Sequence, residues 1–297
     1  MLPSEDSHTI HNASIAAFMA LFFFDIFVWH QIVFAAPPRT AQFYFLDIGQ
    51  GDSELVIFPG GVSVLTDAGP KTTVVGAIEK VIPTSRRYID LAVVSHPQLD
   101  HFEGFIALLD QYEFGAFITN GRDDDPGVKE WPALLQKIKE KHIPIITLAG
   151  GDRIRNGESN IDILSPDSTF IQSAELNDTG FVELIRASGV RALLTADTGF
   201  VVEHYLAGKY DIFADILKVG HHGSKYSTSD EFLAAVHPKI AVIEVGARNT
   251  YGHPAPQTVS KLLTQTSGKL LRTDKNGTVS IIPNGAVLRV FAERPGM

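Results

Sequence analysis

The pattern that most restricts this chain's fold is a succession of short apolar, β-branched runs, bunched toward both ends and interleaved with helical spacing between. The runs Gln42–Asp47, Glu54–Phe58, Val62–Thr66, Ile89–Val94, Ala116–Ile118, Ile145–Leu148 and Ile161–Leu164 come first. Phe181–Ile185, Arg191–Thr195, Ile216–Val219, Ile240–Val245, Lys269–Arg272, Thr278–Ile282 and Ala286–Phe291 follow, each of strand length and bounded by turn residues. Helical periodicity occupies Phe102–Gln111, Val128–Lys141, Val201–Ala207, Ser229–Val236 and Gln257–Gln265. Strands gathered at both ends with helices between them point to an α/β fold of two sheets sandwiched by helices, rather than one doubly wound sheet.

A second feature lies ahead of this region. Ala13–Ala36 reads ASIAAFMALFFFDIFVWHQIVFAA, with Asp25 as its only formal charge, and about 20 apolar residues span a bilayer core. A signal peptide is the rival reading, because Ala35-Ala36 resembles a cleavage site; the preceding MLPSEDSHTIHN lacks Lys and Arg, and the run exceeds a typical signal core. A buried helix is the plainer account. The expected organisation is a polar tail at 1–12, an uncleaved membrane helix at 13–36 and one domain at 37–297, after Pro37-Pro38. Arg39 alone favours a cytoplasmic C-terminus; the expectation adopted is a membrane-anchored protein with its domain outside the cytoplasm.

Composition narrows the chemistry. There is no cysteine, which excludes disulfides, thiolate metal sites and a Cys nucleophile. The net charge of −9 argues against a broad basic surface for nucleic acid, although a bound cation reverses the sign locally. Any metal must be held by histidine and carboxylate.

Five of the eleven histidines lie just past the C-terminal ends of expected strands: His96, His101, His221, His222 and His253. Loops leaving buried strands are held rigidly and commonly carry sites. Neutral imidazole with carboxylate suits Zn²⁺, Mn²⁺ or Fe²⁺. His96, Asp100 and His101 share one turn entering a helix, while Asp197 and His222 arrive from separate strands and would close the shell. A lone histidine is more often a cap, core or surface residue, the reading kept for His8, His11, His30, His142, His204 and His237. Asp123-Asp124-Asp125 reads as a solvated turn, and Gly49 and Gly51 as a tight turn beside the site rather than a phosphate cradle.

These residues together resemble the metallo-β-lactamase domain of the ComEC competence family. The likeness spans nearly all of 43–282. It rests on FLDIGQGDS (45–53), LTDAG (65–69), SHPQLDHFEG (95–104), LLTADTG (193–199), ADILKVGHHGSKYSTS (214–229), NTYGHP (249–254) and LRTD (271–274) with Gly277. The resemblance implies a four-layer αββα sandwich with one or two metal ions at its edge, and hydrolysis of phosphodiesters in the DNA strand that is not taken up. By position, His96 resembles a ligand of the first metal; Asp100 and His101 resemble ligands of the second. Asp197 resembles the bridging aspartate, and His222 rather than His221 the last histidine. Asp52 and Asp67 look like residues that orient ligands. Two departures stand out. Gln98, a poor ligand, occupies the third position of the fuller H-x-H/D-x-D-H motif and is assigned an orienting role. The extra histidine that many relatives place between this motif and the bridging aspartate is not evident, and Asn177-Asp178-Thr179-Gly180 stands at the equivalent place. A single metal on Asp100, His101, Asp197 and His222 is one outcome. The multi-helix channel usual in that family has no room here, which implies a separate channel protein as partner.

The expected mechanism has Zn²⁺ or Mn²⁺ lowering the pKa of water toward neutrality, with Asp197 holding the metal and orienting the nucleophile. His253, or the free one of His221 and His222, would protonate the leaving oxygen or grip phosphate. Ser224, Lys225 and Asn249 are expected to contact substrate, with Arg248 beside them, solvated loop charge being the plainer account of the two cations. Two rival functions remain open: hydrolysis of a small or cell-wall phosphodiester or ester, and a metal-poor binding module motivated by Gln98.

Overall fold

The computed structural model describes residues 5–34, 37–83, 86–122, 128–265 and 269–295. The aspartate run 123–125 and Ala35-Ala36 lie outside them. Chain contacts divide the protein into two units, Met1–Pro38 and Arg39–Met297.

The first unit contains helix α1, Glu5–Phe34. Its stretch His11–Trp29 has a mean hydropathy of 1.7, long and apolar enough to cross a membrane by length and composition. The helix starts earlier than the apolar run, in the polar segment expected as a tail.

The second unit is built on two sheets. The first contains β1 (Gln42–Phe45), β2 (Glu54–Ile57), β3 (Ser63–Thr66), β4 (Tyr88–Val94), β5 (Glu113–Thr119) and β6 (Ile145–Thr147). The second contains β7 (Arg153–Asn156), β8 (Ser159–Ser165), β9 (Val182–Ala187), β10 (Val190–Leu194), β11 (Ile216–Lys218), β12 (Ile240–Ile243) and β13 (Lys269–Arg272). Strands β14 (Val279–Asn284) and β15 (Val287–Ala292) return to the first sheet, whose order is β15-β14-β1-β2-β3-β4-β5-β6; the second runs β13-β12-β11-β10-β9-β8-β7. Each sheet is antiparallel on one side and parallel on the other. The parallel parts are β3 to β6 and β10 to β13.

Three apolar layers separate four structural ones. Phe43, Phe45, Val93, Phe181, Ala192 and Ile281 lie in the layer between the sheets. Leu65, Phe102, Phe105, Phe117, Trp131 and Leu134 pack the first sheet under α2 (Thr73–Glu79), α3 (Leu99–Phe102), α4 (Gly104–Leu108) and α5 (Glu130–Glu140). Leu193, Leu206, Leu217, Phe232, Val236 and Leu262 pack the second under α6 (Phe200–Lys209), α7 (Asp230–Val236) and α8 (Pro256–Gln265), while α9 (Thr273–Asn276) follows β13. Strands buried on both faces read as continuous apolar runs, as Ile240–Ile243 does, fully buried along its length. The αββα sandwich expected from the resemblance is the observed fold.

Two departures have physical causes. Strand β7 was not expected, because RIRN carries one apolar residue; it is an edge strand held by its antiparallel register with β8. The helical pattern at Phe102–Gln111 breaks into α3 and α4, with Gly104 donating its N–H to the Gly69 carbonyl at 2.8 Å instead of continuing a regular turn.

Candidate metal centre

The parallel strands deliver the site. Strand β4 ends at Val94 and the chain turns through Ser95-His96-Pro97-Gln98 into α3, which carries Asp100 and His101. Strand β10 leads to Asp197. Strand β11 leads into the turn Gly220–Gly223, where His221 and His222 both take left-handed backbone angles, φ 49° and 52°. Such a conformation costs about 1–3 kcal/mol per non-glycine residue and persists where the surroundings impose it.

Asp100, His101, Asp197 and His222 each offer one ligand atom, all within 4.8 Å of one another. Asp197 Oδ2 lies 3.4 Å from both His101 Nε2 and His222 Nε2, and Asp100 Oδ2 lies 3.4 Å from His222 Nε2. His101, Asp197 and His222 are buried and Asp100 is half-buried. His101 Nε2, His222 Nε2 and Asp197 Oδ1 have no hydrogen-bond partner although buried. Orphaned buried polar atoms are costly, and a divalent cation beside Asp197 Oδ2 would satisfy both Nε2 atoms. The donor set, two imidazoles and two carboxylates, fits a metal such as Zn²⁺ or Mn²⁺.

The far nitrogens fix ring orientation. Nδ1 of His101 lies 2.7 Å from Asp67 Oδ2, which also accepts from Ser95 Oγ at 2.6 Å, and Asp67 Oδ1 accepts from Ser95 N at 2.8 Å. His222 Nδ1 lies 3.0 Å from the Glu244 carbonyl and 3.2 Å from Asp52 Oδ1. With Nδ1–H donating in each ring, Nε2 is left as the electron-pair donor facing the cluster. Burial alone would lower both imidazoles. Asp197 and Asp67 outweigh it at His101, and Asp197 and Asp52 at His222, so both are held well above an ordinary histidine.

Beneath lies a buried charge network that the sequence reading missed. Lys218 donates to Asp52 and, at 2.7 Å, to the Ala196 carbonyl. Glu54 and Glu244 are buried beside Asp52. Burial, then neighbouring carboxylates, raise Glu244 to about 8 and Glu54 well above its ordinary value. The available signal was a charged residue inside an otherwise apolar strand, as in ILKVG and AVIEVG, where charge is tolerated only if paired or neutralised.

Not every expected site residue joins the cluster. His96 is buried beside His101, with ring centroids 4.1 Å apart, yet it is absent from the four-ligand group. Its Nε2 faces Gln98 Oε1 at 3.0 Å and its Nδ1 faces Ser95 Oγ at 2.9 Å, so both nitrogens are already partnered. Burial, then the nearby His101, pull its imidazole down to about 4. Gln98 thus touches His96 rather than the cluster. Ser224 is buried away from the cleft, its hydroxyl accepting from Tyr226 N at 3.2 Å. The Lys225 ammonium sits 4.9 Å over the Tyr226 ring, and neither it nor Arg248 lines the cleft. Asn249 donates to the carbonyls of Gly246 and His253 at 2.8 and 2.7 Å and accepts from the amide of His253 at 3.0 Å. It shapes the loop that presents His253, and its amide is spent there.

The cluster opens into a cleft of about 400 Å³, whose lining includes Gln50, Leu99, Asn177, His221, Tyr251 and His253. The ring of His221 lies 5.4 Å from that of His253, and Asn177 Nδ2 faces His221 Nδ1 at 3.4 Å. Burial, then His221 and His222, lower the His253 imidazole. No Lys or Arg is among the described residues lining this cleft.

No family model matches the chain. ComE operon protein 3 of Bacillus subtilis is 33% identical over 253 residues, covering 79% of this chain and 32% of that protein. Competence protein ComA of Neisseria gonorrhoeae is 30% identical over 253 residues, covering 82% and 33%. The chain therefore spans about a third of the length of the curated relatives it matches. Among solved structures, CmlA, a diiron β-hydroxylase from Streptomyces venezuelae, superposes with a TM-score of 0.56 at 14% identity over 83% of this chain and 55% of that one. The metallo-β-lactamase fold protein YhfI from Bacillus subtilis gives 0.53 at 13% identity over 81% and 99%. These two share the fold. Over about four-fifths of its length the chain is thus similar in sequence to competence proteins, and its paired sheets share the metallo-β-lactamase fold.

Proposed function

We propose that the domain is a metal-dependent phosphodiester hydrolase that cleaves DNA during uptake. One observation carries the reading: His101 Nε2 and His222 Nε2 are buried and unpartnered, each 3.4 Å from Asp197 Oδ2, beside a solvent-open cleft that Asp100, Asp197 and His222 line. Names of competence relatives supply the DNA context, and a diiron centre in a protein of the same fold shows that the fold accommodates metal. Asp100, His101, Asp197 and His222 would hold Zn²⁺ or Mn²⁺, and His96, buried beside His101, would serve a second ion only by giving up its contact with Gln98 or Ser95. A divalent cation there supplies Lewis acidity toward a phosphoryl oxygen and makes water acidic near neutrality.

The chain's own residues do the rest. Asp67 and the Glu244 carbonyl keep the two imidazole rings in the tautomer that leaves Nε2 free. Asp197, lying between both rings, fixes the direction from which water approaches phosphorus. His221, with Nδ1 facing Asn177, carries its proton on Nε2 and presents it to a non-bridging oxygen. His253 on the same wall protonates the leaving oxygen. Residues 13–36 would hold the protein at a membrane with the domain outside the cytoplasm, beside a separate channel protein.

A second reading is favoured by the cleft itself. A nuclease gains affinity from Lys and Arg, and their absence from the described lining suits a small or cell-wall phosphodiester. The test is hydrolysis of single-stranded DNA, double-stranded DNA and bis(p-nitrophenyl) phosphate by the full chain in detergent, with Mn²⁺ or Zn²⁺ added and metal content measured alongside. DNA cleavage that disappears in Asp197→Ala and His101→Ala supports the proposal. Turnover of the small ester alone points to the second reading. A folded protein with negligible bound metal at neutral pH would leave a binding module.

A further inference from the structure

A nuclease cleft without basic lining must hold its strand by other means. Tyr251 lies on the cleft wall with 68% of its surface exposed, the largest aromatic exposure there. Its ring is nearly parallel to that of His253, at an interplanar angle of 15° with centroids 6.1 Å apart. The loop that presents both rings is pinned by Asn249, which accepts from the amides of Tyr251 and His253 at 3.2 and 3.0 Å. The platform is therefore ordered before any ligand arrives, which reduces the ordering cost of binding. One edge of it is His253, on the wall of the metal cluster.

An aromatic face left in water forgoes the favourable burial of its apolar surface. Proteins that hold single strands without sequence preference use such faces for stacking successive bases. The net charge of −9 opposes a polyanion, so a strand entering this cleft needs an attraction that does not depend on phosphate neutralisation by side chains. Leu99, 39% exposed, adds an apolar contact to the same cleft.

We infer that Tyr251 is the nucleobase platform of this site, stacking an unpaired base beside the scissile phosphate and so selecting single-stranded over double-stranded DNA. The inference rests on the DNA reading above. A base inside a duplex has both faces occupied and cannot reach the ring without being extruded.

The test compares kcat/KM of the full chain for a 12-nucleotide dA strand and for the same strand with its central bases removed. The wild type is expected to prefer the intact strand by about 5- to 150-fold, the range one stacked base confers. Tyr251→Ala should bring that ratio to near one, and Tyr251→Phe should restore it. Because the ratio is taken within one enzyme preparation, a partly unfolded variant does not distort it. An unchanged ratio in Tyr251→Ala, or a ratio near one in the wild type, overturns the inference while leaving DNA hydrolysis standing. Hydrolysis of bis(p-nitrophenyl) phosphate with no cleavage of either strand removes the DNA reading, and the platform with it.

Discussion

Replacing Lys218 with methionine tests the buried network beneath the metal cluster. Lys218 and Asp52 are fully buried, in contact with each other, and Asp197 Oδ1 lies 3.9 Å from the same ammonium. Burial raises Asp52, yet Lys218 and then His222 outweigh it and hold its carboxyl below the ordinary value. Methionine matches the apolar stem of lysine but removes the only lysine or arginine ion-paired with Asp52 among the described residues. Leaving one partner of a buried pair uncompensated costs about 3–5 kcal/mol, whereas neutralising both is often close to neutral. For a domain of this size that loss lowers the melting temperature by about 6–20 °C. The assay is urea denaturation followed by circular dichroism for wild type, Lys218→Met, Asp52→Asn and the double variant. Lys218→Met is expected to lose about 3–5 kcal/mol, and Lys218→Met/Asp52→Asn to lose less than the sum of the two singles by about 2 kcal/mol or more. Additive losses, or a single loss below about 1 kcal/mol, would refute the view that a charge pair holds this region together.

Two other predictions follow from particular positions. Glu183, buried between the sheets and accepting from Thr66 Oγ1 at 3.1 Å, is raised by burial from 4.5 to about 8. A carboxyl with a raised folded pKa loses stability as pH climbs from the unfolded value to the folded one, so wild type should lose about 4 kcal/mol relative to Glu183→Gln between those limits. Identical pH profiles in denaturant melts would exclude that role. Gly51 has φ +127°, and a Cβ there would overlap the Asp100 carbonyl; the same carbonyl accepts from Asp52 N at 3.2 Å. Gly51→Ala should therefore displace Asp100 and weaken metal binding in calorimetric titration by about tenfold or more, at the scale of loss caused by disturbing a ligand's support; unchanged affinity would show that the turn does not position this ligand.

Much of the fold was legible because burial on both faces leaves a plain mark: Ile216–Lys218 and Ile240–Ile243 sit inside apolar runs that no solvent-facing segment needs. The polar edge strand Arg153–Asn156 left no such mark, since its place comes from backbone pairing with β8. The same contrast holds in the site. Asp100, His101, Asp197 and His222 were recognisable as chemistry-bearing residues at strand ends, and the structure gathers them. Sequence does not encode where a ring points, so His96 looked like His101 although its nitrogens face Gln98 and Ser95. Nor did it indicate that Asn249 spends its amide on its own loop, or that Ser224 turns inward. Lys218 and Glu244 were visible as anomalies in apolar strands. Their place is in or beside the strands that support the site, not in the strand-end loops where the candidate ligands lie.

The charges of the site bear on how a metal would enter it. Asp52, Asp67, Asp100 and Asp197 lie close together, and Lys218 is the single lysine or arginine in contact with them among the described residues. Asp100 and Asp197 are held below the ordinary carboxylate value: burial opposes this, while His222 and His101 overcome it. His101 and His222 are raised by the same contacts. Protons on the two imidazoles and a divalent cation are thus competing answers to one excess of negative charge. Since a metal accepts electron pairs only from deprotonated Nε2, loading the site near neutral pH must expel protons. Apparent affinity should rise with pH until both rings are neutral in the free protein, above the ordinary histidine value of about 6.5. Calorimetric titration with Zn²⁺ or Mn²⁺ in two buffers of different ionisation enthalpy measures the count directly. Net proton release on metal binding is expected at pH 7, and less of it in His222→Ala, which has one raised imidazole fewer. Metal binding with no proton release would mean that the carboxylates do not hold the imidazoles charged, and that the cluster's electrostatics have been read with the wrong sign.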